Sequence, residues 1–291
     1  MKYLGSFLNG QSRTWLDTAL ESGKSNVQEL VDISSGICYQ YGSYNDVIMS
    51  WRNEIPVSSF LEHADLLVSF YEKPPAALDV LLKERRHKHG LVFCPYCGKP
   101  VEPDTLDHFL PKGKWPEFSI FPDNLVPQCR DCAPIKGNFY FCNMSGSAMF
   151  LHPFYFNLLD EVYFSIRASL NHEDNQITIS IKLGTRAEVD DEQKQRIRLH
   201  AKSLNIKERV VNYCHKEITA WKRRLSRTRF DFRLALEQRL SEIPESDKGS
   251  DWESALYLAL IQNQEIIDYM NSLAVSERVD RVNHNEIEFD F

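Results

Sequence analysis

Several features are missing from this chain, and each absence narrows what it can be. No apolar run approaches the roughly 20 residues that a membrane-spanning helix requires, so a helical membrane protein is not expected. The opening stretch, MKYLGSFLNGQSRTW, has no long apolar core followed by a small-residue cleavage site. No secretory signal is therefore expected, and a cytoplasmic address is the default. There is no internal repeat and no low-complexity tract, which argues against a repeat array. Surplus positive charge is also lacking: 34 Lys and Arg face 41 Asp and Glu, for a formal net charge of −7. A protein that simply coats DNA is usually basic. Any nucleic-acid contact must then rest on a local concentration of cations or on a partner's surface.

Paired cysteines are scarce outside one segment. Seven are present, an odd number. Four fall into two Cys-x-x-Cys pairs, and Cys38, Cys142 and Cys214 are scattered. In a reducing compartment this favours metal binding over disulfides. What remains is ordinary for a folded chain of 291 residues, with 43% hydrophobic and 12% aromatic content. That length suits one large domain or two to three small ones.

Three regions emerge. Residues 1–90 read as mainly helical, with helices over 61–71 and 76–88 separated by Pro74-Pro75. The second is expected to bury Ala77, Val80 and Leu81 and to end in the basic run Lys83, Arg85, Arg86, Lys88, with Gly90 as its cap. Residues 91–157 are rich in Pro, Gly and aromatics and poor in periodic segments; zinc would serve to hold them. Residues 158–291 begin with a β-hairpin over 161–183, turning at NHEDN. They continue as helices over 190–204, 207–240 (one or two) and 251–273, the last capped by Ser250. PESDKGSD, from Pro244, reads as a loop. The acidic tail NHNEIEFDF reads as mobile or as a docking peptide.

The densest information lies between Cys94 and Gly137: CPYCGKPVEPDTLDHFLPKGKWPEFSIFPDNLVPQCRDCAPIKG. Cys94 and Cys97 form one knuckle and Cys129 and Cys132 another, 31 residues further on. Four thiolates complete a tetrahedral zinc and leave no open position, so the site is expected to be structural. Gly98 suits the tight turn of a knuckle. Between the knuckles stand Asp107-His108, Pro111-Lys112, Pro116 and Asn124-Leu-Val-Pro127, followed after the second knuckle by Lys136-Gly137.

This order resembles the HNH nuclease family, whose ββα-metal fold carries DH-x-x-P, then N-L-x-P, then C-x-x-C-N-x-x-K. The likeness covers about 45 of the 291 residues and rests on the motifs in combination. It implies His108 as general base, Asp107 as ligand of a catalytic Mg²⁺ or Mn²⁺, Asn124 as the residue orienting the His108 loop, and Lys136 as a phosphate contact. The chemistry accounts for these types. A neutral imidazole can take a proton from water, and a hard cation prefers carboxylate oxygen to thiolate. The structural alternatives are a partly buried histidine at 108 and a solvated lysine at 136.

The match fails at one place. The family has Asn or His directly after the second knuckle, and here stands Ala133, which has no side-chain donor atom. With Pro134 opening a helix, Ala133 is expected at the N-cap, where it is a poor choice. Three explanations are open: the residue was changed deliberately, the ligand comes from elsewhere, with His152 the nearest downstream candidate, or catalysis has been lost. His152 can also be a packed histidine.

The sharpest basic stretch is 221–233, with six cations and one anion. On a helix, Lys222, Arg229 and Arg233 would share a face, with Arg223 and Arg227 beside it, while Trp221, Leu225, Phe232 and Leu236 pack inward. A solvated helix face explains the same pattern. The expected fold is α+β: a zinc-stabilised ββα-metal module flanked by helical regions, with a β-hairpin. The expected function is a metal-dependent endonuclease acting on DNA in preference to RNA. The DHFLPK and NLVPQCRDC motifs are similar to those of HNH subunits in Septu and retron-linked anti-phage systems, which implies an ABC-type ATPase as partner. The alternative is a non-catalytic zinc-binding adaptor that keeps the nuclease shape. A colicin-like toxin fits poorly, since no translocation segment is apparent.

Overall fold

Apolar periodicity builds helices on both sides of the cysteine-rich segment, and short hairpins fill the middle. The computed structural model describes residues 1–8 and 14–274; the tail NHNEIEFDF lies outside the described residues. The fold is α+β. Helices α1 (Thr14–Leu20), α2 (Val27–Met49), α3 (Ala64–Glu72) and α4 (Ala76–His87) come first. Strands β1 (Thr105–His108) and β2 (Leu125–Gln128) then pair antiparallel, with His108 opposite Leu125 and Asp107 opposite Val126. The short helix α5 (Ala133–Lys136) follows. Strands β3 (Phe141–Cys142) and β4 (Ser147–Ala148) form a second small pair, and α6 (Leu158–Glu161) leads into the long hairpin of β5 (Val162–Asn171) and β6 (Gln176–Thr185). Helices α7 (Asp191–Ser203), α8 (Ile206–Leu225), α9 (Phe232–Ser241), α10 (Trp252–Ile261) and α11 (Gln264–Ser272) complete the described chain. No helix among the described residues is long and apolar enough to cross a membrane.

The hairpin at 161–183 forms where alternation placed it, with Asn175 in the left-handed region that its turn demands. Asp190 caps α7 through a capping box with Gln193.

Several expectations require correction. The α4 face turned to the core carries Leu78 and Leu82, while Val80 is 54% exposed, because the stripe is set by the positions meeting the core and not by Ala77. Lys88, not Gly90, closes α4; Gly90 takes its positive φ two residues later. Arg85 of the basic run is half-buried among the rings of Phe7, Trp15 and Phe154. Asp251, not Ser250, caps α10, its Oδ1 accepting from the N–H groups of Glu253 at 2.8 Å and Ser254 at 3.0 Å. The single helix over 251–273 is two, because Asn263 accepts from the Ile266 N–H and starts α11. The 207–240 segment is also two helices, and Asp231 starts the second by accepting from Leu234 N–H at 2.9 Å. The break falls inside the basic run, so Lys222 and Arg233 sit on different helices.

The buried apolar residues form one continuous cluster, with contributions from the N-terminal helices, the cysteine-rich segment, the hairpin and the C-terminal helices.

Candidate active site and cysteine centre

The four cysteines of the two knuckles meet. Their sulfurs lie within 4.8 Å of one another and all four residues are buried; Cys97 Sγ and Cys129 Sγ stand 3.8 Å apart. Zinc in a thiolate tetrahedron, with bonds of about 2.3 Å, requires sulfurs about 3.8 Å apart. The donor set therefore fits a metal such as zinc. Gly98, at φ +75°, turns the first knuckle, and a Cβ there would meet the Phe164 ring at 2.6 Å and the Ser250 carbonyl at 2.9 Å.

Two residues that the sequence did not mark finish this centre. Arg209 of α8 directs its guanidinium at the sulfurs of Cys132 (3.4 Å), Cys97 (3.6 Å) and Cys129 (3.9 Å), while Nη1 also donates to the Leu204 carbonyl at 3.0 Å. Trp252 donates its indole N–H to the Cys97 carbonyl at 2.6 Å and faces the Arg209 guanidinium at 5.4 Å. A doubly negative Zn(Cys)₄ group would thus have a cation against it. Both residues lie far down the chain in charged or amphipathic helices, where nothing in spacing relates them to the knuckles.

Asp107 and His108 end β1. His108 is 8% exposed, and its Nε2–H donates to the Ser119 carbonyl at 2.9 Å. A carbonyl can only accept, so this bond fixes the tautomer and leaves Nδ1 unprotonated. The ring meets Tyr71 edge-on at 4.3 Å. Burial lowers the His108 pKa to about 3; the Ser119 bond opposes the shift, and the charges of Lys112 and Lys136 reinforce it. The imidazole is neutral at pH 7.

Asn124 is fully buried and uses its whole amide. Its Oδ1 accepts from Leu110 N–H and Tyr44 O–H, both at 2.7 Å, and its Nδ2 donates to the carbonyls of Leu110 (3.0 Å) and Phe118 (3.2 Å). It clamps the ends of the loop between His108 and Ser119, the same two residues that share the imidazole bond. Tyr44 extends the network through the core to His152 Nε2 at 3.3 Å. His152 Nδ1 accepts from Phe154 N–H at 3.1 Å, and its ring packs on Phe109 at 4.0 Å. With both nitrogens engaged and no solvent exposure, His152 is a packed core histidine and is not placed to hold a cation.

Lys136 also differs from its expected role. It is fully buried, donates to the carbonyls of His108 and Phe109 at 3.1 Å each, and pairs with Asp107 Oδ1 at 3.1 Å. Burial lowers its pKa, against the pull of Asp107. The other Asp107 oxygen accepts from Tyr96 O–H at 2.6 Å. Lys136 thus stitches α5 to the end of β1 and does not face a substrate. Ala133 is the first residue of α5, with Cys132 rather than Ala133 at the N-cap, because the turn of the second knuckle already has helical geometry. It offers no ligand. Asp107, with both oxygens engaged, and Ala133 make an incomplete donor set for a catalytic Mg²⁺ or Mn²⁺.

Among the expected nucleic-acid contacts, Lys222 donates to the Asn175 carbonyl at 3.3 Å and to Tyr269 O–H at 3.1 Å. Arg223, Arg227 and Arg229 are exposed. Arg223 lies on α8, whereas Arg227 and Arg229 lie in the break after it.

No family model and no solved structure matches the chain. The chain is similar to protein ea31 of Escherichia phage lambda, 56% identical over 39 residues, a stretch that covers 13% of this chain and 13% of that protein.

Proposed function

We propose that the chain is an endonuclease of the HNH kind that hydrolyses DNA phosphodiester bonds, with a structural zinc at Cys94, Cys97, Cys129 and Cys132. The observation that carries this reading is the state of His108: a neutral imidazole with its Nε2–H anchored to Ser119, leaving Nδ1 as a base, in a loop whose ends are fixed by Asn124. The β1–β2–α5 order, with Cys94 and Cys97 before β1 and Cys129 and Cys132 between β2 and α5, agrees with a ββα-metal module. Burial depresses the basicity of His108 in the free protein, and the negative charge of a bound phosphate would raise it; Nδ1 then takes a proton from water, the resulting hydroxide bonds to phosphorus, and the ester oxygen leaves with a proton from solvent. Catalysis of this kind in the resembling family draws on a divalent cation, and no step is assigned to one here, because the donor set around Asp107 is incomplete. The same resemblance supports a role as nuclease effector of an anti-phage complex, with an ABC-type ATPase as partner.

A second reading, a non-catalytic zinc-binding adaptor, is favoured by the Asp107–Lys136 pair and by Ala133: the carboxylate is already satisfied, and its would-be co-ligand is missing.

The experiment is a plasmid-nicking assay with Mg²⁺ or Mn²⁺ on the present chain, Ala133→Asn, and Ala133→Asn with His108→Ala. The nuclease reading expects Ala133→Asn to raise nicking by at least about tenfold, since a second ligand fixes the ion against the phosphate. Removal of His108 should return nicking to background with zinc content unchanged. No nicking by any of the three, with folded zinc-loaded protein, leaves the adaptor reading.

A further inference from the structure

The basic stretch at 221–233 is not the best-formed cationic surface of this molecule. An open cleft of about 550 Å³ lies between β6 and the corner joining α7 to α8. Lys182 of β6, Arg198 and Lys202 of α7 and Lys207 of α8 line it, with Glu208 as the one carboxylate among the lining residues. All four cations are exposed, and none forms an ion pair among the described residues. Ile181 and Leu183 give the cleft an apolar wall.

Folding does not explain this arrangement. Arg198 and Lys202 stand four apart on one helix, where like charges cost roughly 0.2–0.5 kcal/mol. The chain has a net charge of −7, so carboxylates to relieve the repulsion are plentiful, yet none is paired here. The side chain of Asn205, at φ 50°, makes no capping bond to the start of α8. The first N–H groups of this 20-residue helix therefore add partial positive charge to the same corner.

We infer that this cleft binds the phosphodiester backbone of a nucleic acid. A single phosphate would occupy one or two of the cations. Arg198, Lys202 and Lys207 beside the apolar wall, with Lys182 at the rim because it alternates with Ile181 and Leu183 on β6, suit successive phosphates with sugar packed between them. No aromatic side chain lines the cleft to stack a base, so the contact is chiefly to the backbone. The inference rests on the nuclease reading only for the kind of ligand, and binding is measured apart from cutting.

The test uses the full zinc-loaded chain without Mg²⁺ or Mn²⁺ and a short fluorescein-labelled DNA duplex, followed by anisotropy across a salt series. The trio Lys182→Gln, Arg198→Gln and Lys202→Gln should weaken binding at least about tenfold and reduce the log–log salt slope by roughly 3. The trio Arg223→Gln, Arg227→Gln and Arg229→Gln removes the same charge and should do markedly less. Zinc content and thermal midpoint check that each trio is folded. If the first trio fails to fold, the pair Lys182→Gln and Lys207→Gln replaces it, with an expected slope change of roughly 2. Equal losses in the two trios, an unchanged slope in the first, or no DNA binding by the parent chain would overturn the inference. So would competition by inorganic tripolyphosphate equal to that of unlabelled duplex at matched phosphate concentration, since that marks a small-anion site. A chain that binds through the cleft and never nicks DNA loses the nuclease reading and keeps this one. A chain that nicks through His108 with the cleft trio still binding does the reverse.

Discussion

A lysine with no exposed surface, held by one carboxylate and two carbonyls, behaves differently from a lysine on a helix face. Lys136 is such a residue, and the distinction yields a prediction about stability. Replacing one member of a buried ion pair leaves the other charge uncompensated, typically at a cost of 3–5 kcal/mol. Lys136→Met should destabilise the protein by about that amount, read as a fall in the urea midpoint. The double variant Lys136→Met with Asp107→Leu should recover more than half of the loss, because it removes the stranded carboxylate as well. A single variant that keeps full stability but loses DNA affinity would return Lys136 to the phosphate role that its motif implies. The type and position of Lys136 were legible from its motif, and its burial was not. That burial comes from the Phe109 and Phe150 rings, each 5.5 Å from its ammonium, and from Asp107, on a strand distant from α5 in sequence and 3.1 Å from the ammonium in space. Asn124 was more legible, since a buried amide that clamps a loop is what its motif implies.

At the scale of elements, the cysteine knuckles are braced by two helices from the far end of the chain. Arg209 of α8 neutralises part of the charge on the sulfurs and holds them in place, and Trp252 of α10 fixes the Cys97 carbonyl. Arg209→Met should therefore speed zinc transfer to a chromogenic chelator by at least about tenfold while leaving one zinc per chain as purified. Arg209→Lys should fall between, because an ammonium is a single point charge and cannot span three sulfurs as a planar guanidinium does. Identical transfer rates for all three proteins would reduce Arg209 to packing. Helices were legible in type and badly placed in extent. Periodicity continues across 207–240 and 251–273, and the breaks at Asp231 and Asn263 are decided by short side chains that compete for backbone N–H groups. The hairpin at β5 and β6 was legible because alternation and a polar turn agree.

For the whole molecule, three buried histidines couple folding to pH: His108, His152, and His200 of α7, whose Nδ1 accepts from Leu151 N–H and whose Nε2–H donates to the Tyr96 carbonyl. Unfolded imidazoles take up protons near pH 6.5. In the folded protein burial, the largest cause in each, lowers His108 to about 3 and His200 to about 4, and shifts His152 in the same direction. Above pH 6.5 neither state is protonated at these sites, so they contribute no slope. Below it the unfolded chain binds more protons, and stability falls until the pH has passed below the folded values. Each imidazole contributes up to roughly 1.4 kcal/mol per pH unit, or about 4 for the three together. The urea midpoint, measured with zinc in excess, should stay level above about pH 7 and drop steeply between about pH 6 and 4.5. A level midpoint through that window would show that these rings accept protons without unfolding. None of this was legible from a count of nine histidines, because it depends on which of them the core encloses.

The bond from the Trp252 indole to Cys97 joins residues 155 positions apart, and that separation sets a schedule for synthesis. The four thiols leave the ribosome first, and Arg209 and Trp252, which cover them, follow later. At about 5–20 residues per second, the first knuckle waits roughly 8–30 s for its tryptophan. During that interval the cysteines lack the finished shelter, so a metal bound at this centre would first meet thiols whose covering side chains are still being translated.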